Sequence, residues 1–152
     1  MTGTDIRPCM EDAVSEVLEA MCFISSEGQT DDEEGNYQSD WICGELSFVG
    51  RASGSFGIAV SPATAAVMAA NFLGEEESLL SKEQTLEVVC EMANMICGAL
   101  LSHFDPKNAF TLSPPRHDCS GLTNSAGASR ISGTYRLDEG FIHSWVEIRE
   151  DA

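Results

Sequence analysis

The segment from Ser81 to Pro106 constrains this chain more than any other. It reads as one long helix: Ser81 offers an N-cap, Gln84 completes a capping box, and Asp105-Pro106 ends it near His103. Advancing about 100° per residue from Glu91 puts Leu86, Val89, Ala93, Ile96, Leu100 and Phe104 within about 40° of the opposite side. A stripe that complete has to be buried, so the rest of the chain must supply a surface to cover it.

The flanking segments read as that surface. Residues 41–49 and 53–60 alternate apolar and polar side chains, with Ile42, Leu46 and Phe48 in the first and Phe56, Ile58 and Val60 in the second. Gly50-Arg51-Ala52 and Gly54 between them predict a hairpin. The same glycines resemble a phosphate loop only superficially. No Lys-Ser/Thr follows them, and the segment enters a strand rather than a helix. Ser61-Pro62 starts a helix that Gly74 ends. Three further strands are expected near 109–113, 129–137 and 140–149, the last two divided by the turn Asp138-Glu139-Gly140. A first helix is expected over 10–24, where Ala13/Val14, Val17/Leu18 and Met21/Cys22 form one stripe. Glu11, Glu16 and Glu19 lie off that stripe. The class is α+β: an antiparallel sheet covered by helices, in the order α-β-β-α-α-β-β-β. One domain over 1–152 is expected, with its core at about 10–149. Two loops are expected, an acidic one at 26–38 and a second at Gly121–Gly127.

Charge narrows the partners. The 152 residues carry 8 Lys+Arg against 25 Asp+Glu, a formal charge of -17. Nucleic acid and anionic membrane surfaces both require cations to neutralise phosphates, so neither is an expected partner. No run approaches the roughly 20 apolar residues of a membrane helix, and residues 1–11 lack the apolar core of a secretory signal. Cys9, Cys22, Cys43, Cys90, Cys97 and Cys119 form no CxxC pair, and His103, His117 and His143 are scattered. No metal site is therefore expected. The cysteines read as reduced residues of a cytoplasmic protein.

The long helix has a second stripe. Glu87, Glu91, Asn94 and Gly98 follow one another at spacings of 4, 3 and 4, within about 60° of Glu91. Asparagine and glycine both disfavour helix interiors, glycine by about 1 kcal/mol against alanine. A glycine there lets another chain come close, and a carboxamide supplies both a donor and an acceptor. Val88, Met92 and Met95 flank the stripe. A solvated helix face accounts for Glu and Asn equally well, and Gly98 would also suit packing against the second helix.

Glu91-Met92-Ala93-Asn94-Met95-Ile96-Cys97-Gly98 resembles the E-x-x-N-x-x-x-G helix of the CheC–CheX–FliY family. These are bacterial phosphatases of phosphorylated chemotaxis response regulators. Glu16–Phe23, the 41–60 hairpin, the Ser61-Pro62 helix and Leu112-Ser113-Pro114-Pro115 are similar to that family's elements, so the resemblance spans about residues 10–149. The first helix offers Glu16 but has Glu19 where a second asparagine would stand, so the chain is most like CheX, which has one motif. Two departures stand out. Glu87 replaces the family's Asp or Ser, and Pro114 and Pro115 follow Asn94 after only 19 and 20 residues, fewer than in the family.

The resemblance implies a protein aspartyl-phosphate phosphatase acting on a CheY-like response regulator. Asn94 would enter the regulator's site and position the attacking water, and Glu91 would pair with the regulator's active-site lysine. Gly98 would permit close approach, with Val88, Met92 and Met95 as the contact skirt. Glu87 would extend the acidic edge or stand as a solvated side chain. The protein would need no cofactor of its own, because the regulator holds the Mg²⁺. A homodimer formed through the sheets is also implied, with Phe141–Ile148 as the candidate edge. The alternative is a non-catalytic module that binds a response regulator or a second copy of itself. An enzyme acting on a small molecule would need a nucleophile, metal or acid/base pair, and no such constellation is visible.

Overall fold

In the computed structural model, residues 5–31, 38–118 and 129–150 are described. Three helices cover one face of a six-stranded sheet. The helices are α1 (Ile6–Cys22), α2 (Pro62–Leu73) and α3 (Lys82–Phe104). The strands are β1 (Ser26–Gln29), β2 (Ile42–Val49), β3 (Ala52–Val60), β4 (Thr111–Leu112), β5 (Ser129–Leu137) and β6 (Gly140–Glu150). Their spatial order is β1-β5-β6-β3-β2-β4, and every pair is antiparallel. The expected α+β class holds.

The β2–β3 hairpin pairs Ile42 with Val60 through Val49 with Ser53, turning at Gly50–Arg51. That register points Leu46, Phe48, Phe56, Ile58 and Val60 at the helices, all of them buried. The capping box at α3 is fully formed. The Gln84 N–H donates to Ser81 Oγ at 3.1 Å, and the Ser81 N–H donates to Gln84 Oε1 at 2.9 Å. Capping is worth about 1 kcal/mol. Met92, Ile96 and Leu100 are wholly buried, and each contributes roughly 1.5–3 kcal/mol. Packing rather than capping therefore fixes α3.

Several expectations need correction. Helix α1 starts at Ile6, four residues early, because Asp5 caps it by accepting from the Arg7 N–H at 3.0 Å. Pro8 sits in the first turn, where its missing N–H is not needed. The expected polar loop begins with a strand: β1 pairs with β5 at the sheet edge, where polar side chains face solvent. Residues 32–37 of that loop, the Gly121–Gly127 loop and Cys119 lie outside the described residues. Strand β6 is not an edge, because β5 and β3 flank it on both sides. The edges are β1 and β4.

Cys43 is disulfide-bonded, while Cys9, Cys22, Cys90 and Cys97 are free. The reading of all six cysteines as reduced therefore fails at Cys43. This residue lies away from the helices, in a small cluster with Ala59, Trp145 and Trp41 that sequence spacing does not reveal. Helix α3 is long and apolar enough, by length and composition, to cross a membrane. The expectation that no segment would be so is corrected. Half of its most apolar stretch is buried, packed against α1, α2 and β2.

Candidate functional site on helix α3

Gly44 of β2 sets the position of α3. A Cβ there would lie 3.1 Å from Ala93 Cβ, from Cys90 Cα and from the Val89 carbonyl oxygen. With only hydrogen at that point, helix and strand meet backbone to backbone. The opposite side of α3 is then fixed: Glu87 and Glu91 are exposed, and Asn94 and Gly98 are half-buried along the same stripe.

The segment after β4 forms the other wall. It continues along β2: Ser47 and Ser113 bond to each other twice, and Glu45 and Arg116 exchange two backbone hydrogen bonds of 2.8 Å. The Arg116 guanidinium lies 3.4 Å from Glu45 Oε1, and the Glu45 side chain is buried. Alternate residues of an extended chain face opposite ways. With Arg116 turned toward Glu45, Pro115 and His117 fall on the helix side. A cleft of about 430 Å³ results, lined by Glu83, Leu86, Glu87, Cys90, Glu91, Pro115 and His117.

A second cleft of about 290 Å³ lies toward the end of α3, between Gly98, Leu101, Ser102 and Asp105 on one side and residues 106–112 on the other. Asn94 sits on the stripe between the two, three residues beyond Glu91 and four before Gly98. Asn94 itself lines neither cleft. Among the described residues, no hydrogen bond or ion pair engages Glu87, Glu91 or Asn94. Burial and the neighbouring Glu87 push the Cys90 thiol up, so it is protonated at neutral pH and does not offer a thiolate nucleophile.

The sequence stripe of Glu87, Glu91, Asn94 and Gly98 is thus brought together on one face. Its apolar flank is not. Val88 is 4% exposed and Met92 0%, so both belong to the core and cannot form a contact skirt. Met92 is reached by α1, whose Cys22 Sγ lies 3.5 Å from Met92 Sδ. Met95 remains half-buried beside the stripe. Gly98 has nothing within 4 Å of where its Cβ would be, so packing against α2 does not explain it. Sequence reasoning does not single out Pro115, His117 or, apart from Gly98, the residues of the second cleft as site residues. Alternation after β4 carries the signal for His117, but Pro114-Pro115 obscures it.

A six-stranded antiparallel sheet covered on one face by three helices, with an amide-bearing stripe on the longest of them, defines the class of fold. The sequence profile of the chemotaxis phosphatase CheX family matches residues 42–124, from β2 through α3 and past β4. The chain belongs to that family. No curated protein matches it in sequence. Among solved structures it is similar to CheX of Borrelia burgdorferi, seen in a CheX–CheY–BeF3–Mg²⁺ complex. That match has 24% identity and a TM-score of 0.71, covering 96% of this chain and 99% of the other. It is similar to CheX of Desulfovibrio desulfuricans at 15% identity and TM-score 0.72, covering 96% and 100%. Thermotoga maritima FliY matches at 12% and TM-score 0.58, covering 91% and 84%. At these identities the likenesses show a shared fold.

Proposed function

We propose that this chain is a cytoplasmic phosphatase of a phosphorylated CheY-like response regulator, built as one CheX-like domain over 1–152. The observation that carries the reading is the set Glu91, Asn94 and Gly98. The first two are polar groups without a partner of their own among the described residues. The third is a glycine at which a Cβ would meet nothing within 4 Å among the described residues. All three lie on one face of a helix held rigidly by the core.

The chemistry asked of the site is small. An aspartyl phosphate is an acyl phosphate with a good leaving carboxylate, and the regulator brings Mg²⁺ in its own site. What is missing is a water held in line with phosphorus. The Asn94 carboxamide oxygen accepts from that water while its NH₂ donates to a phosphoryl oxygen, much as a carboxamide orients water in GTPases. Glu91 pairs with the regulator's active-site lysine and sets the register of docking. Glu87 adds to the acidic rim, and Met95 contributes apolar contact. A net charge of -17 gives no general attraction to a phosphorylated partner, so the local Glu–Lys contact has to guide encounter. A homodimer belongs to this proposal, but not through the edge of β6, which is interior.

The test is phosphate release from phosphorylated CheY-like regulators with and without the protein. Shortened acyl-phosphate lifetime that depends on Asn94 supports the reading. Tight binding with unchanged lifetime would leave a non-catalytic docking module instead.

A further inference from the structure

The cleft beside Gly98 is unlike the one beside Glu91. Leu101, Ala109, Phe110 and Leu112 give it an apolar wall, and Asp105 and Asn108 a polar one, with exposed Ser102 on its rim. Its only carboxylate is already engaged: Asp105 accepts from Arg51 Nε at 2.7 Å and from Asn108 Nδ2 at 3.0 and 3.2 Å. This network ties the end of α3 to the hairpin tip and to the 105–108 turn. Phe110 is fixed too, packed edge-on against buried Phe48 with ring centroids 5.9 Å apart. Leu112 is held in the β2–β4 register opposite Phe48. The cleft is therefore preformed, and a preformed wall loses little entropy on binding. At about 290 Å³ it falls at the lower limit of small-molecule pockets, roughly 300–1,000 Å³. That size suits one inserted side chain. Its mouth opens at Gly98, where a Cβ would meet nothing.

We infer that this cleft is a specificity pocket for the docked regulator and receives one apolar side chain of that partner, on the side of Asn94 away from Glu91. The inference rests on the phosphatase reading, because it takes the α3 stripe as the docking face. It deepens that reading by assigning the partner's surface a two-point chemistry. A cation meets Glu91 at one end, and an apolar anchor meets Phe110 and Leu112 at the other. The spacing between them, astride Asn94, selects among regulators that share the same lysine. Anchors of this kind, seated in fully desolvated pockets, usually carry a large part of an interface's affinity.

Ala109 is exposed, so substituting it leaves the core intact. Affinity is measured for a beryllofluoride-activated regulator, alongside steady-state dephosphorylation. Ala109→Glu should raise Kd and KM by roughly tenfold by placing a charge against the inserted group, with kcat unchanged. Lys107→Ser, exposed in the same turn but not lining the cleft, should stay near wild type. Truncating the partner's anchor residue to alanine should weaken wild type but not A109E. An unchanged Kd for A109E, or a fall in kcat without a rise in KM, overturns the pocket. If wild type dephosphorylates the regulator and Asn94→Ala does not, yet A109E matches wild type, the pocket fails and the phosphatase reading stands. If wild type neither binds nor dephosphorylates any regulator, both fail.

Discussion

Helices α1 and α3 each carry a glutamate at a comparable place, and their fates differ. Glu16 on α1 lies 2.9 Å from His103 Nε2, so it is committed to joining the two helices. Glu91 on α3 has no such engagement among the described residues. Position 19 on α1 is a second glutamate, where α3 has Asn94 and, four residues later, Gly98. Residue type alone does not separate the two positions. Freedom from internal partners, a neighbouring amide and an open approach distinguish the two helices.

The sharpest test of that contrast is Asn94→Ala, which removes the amide and leaves the half-buried position otherwise intact. Dephosphorylation should fall by roughly 100-fold or more, with an unchanged far-UV spectrum and little change in Kd. Next comes a paired substitution. Glu91→Gln should raise KM by about tenfold and flatten the salt dependence of kcat/KM. Glu16→Gln should leave both untouched and shift stability by no more than about 0.5 kcal/mol. If the two variants behaved alike, the contrast between the helices would collapse. Gly98→Ala separates folding from function. It should stabilise the helix by about 0.5–1 kcal/mol, read as a higher Tm, while weakening regulator binding severalfold. A variant both more stable and equally active would show that the glycine serves no partner.

The smallest effect concerns the second cleft. Asn108 and Arg51 hold the Asp105 carboxyl below its ordinary value. A carboxylate whose pKa is lowered by folding stabilises the native state above its unfolded value, and that gain disappears as pH falls through the folded value. Wild type should therefore melt above Asp105→Asn at neutral pH. The two should converge in acid, below the usual carboxylate range, when Tm is followed against pH.

Much of this was legible in the sequence, for physical reasons. The β2–β3 hairpin announces itself because large apolar Phe56, Ile58 and Val60 face the helices while small Ser55, Gly57 and Ala59 alternate with them on the other face. The α3 caps are visible because Ser81 and Gln84 act locally. Strand β1 was not legible, since an edge strand is held by backbone bonds to β5 and its polar side chains read as loop. That Glu91, Asn94 and Gly98 share one outward face of α3 was legible, but the burial of its flank was not. Val88 and Met92 look the same whether they meet a partner or α1, and only the packing of a second helix decides. The second cleft depends on the latch from Arg51 to Asp105, two residues 54 positions apart. No periodicity links them.

The bare contact at Gly44 has a mechanical consequence. Helix and strand touch there without a compressible side chain between them, so α3 cannot rock or slide without carrying β2 along. The amide at position 94 is thus aimed by the whole sheet. A methyl added at residue 44 would meet Ala93, Cys90 and the Val89 carbonyl at 3.1 Å, so helix and strand would have to part by a few tenths of an ångström, and the amide at position 94 would move with the helix.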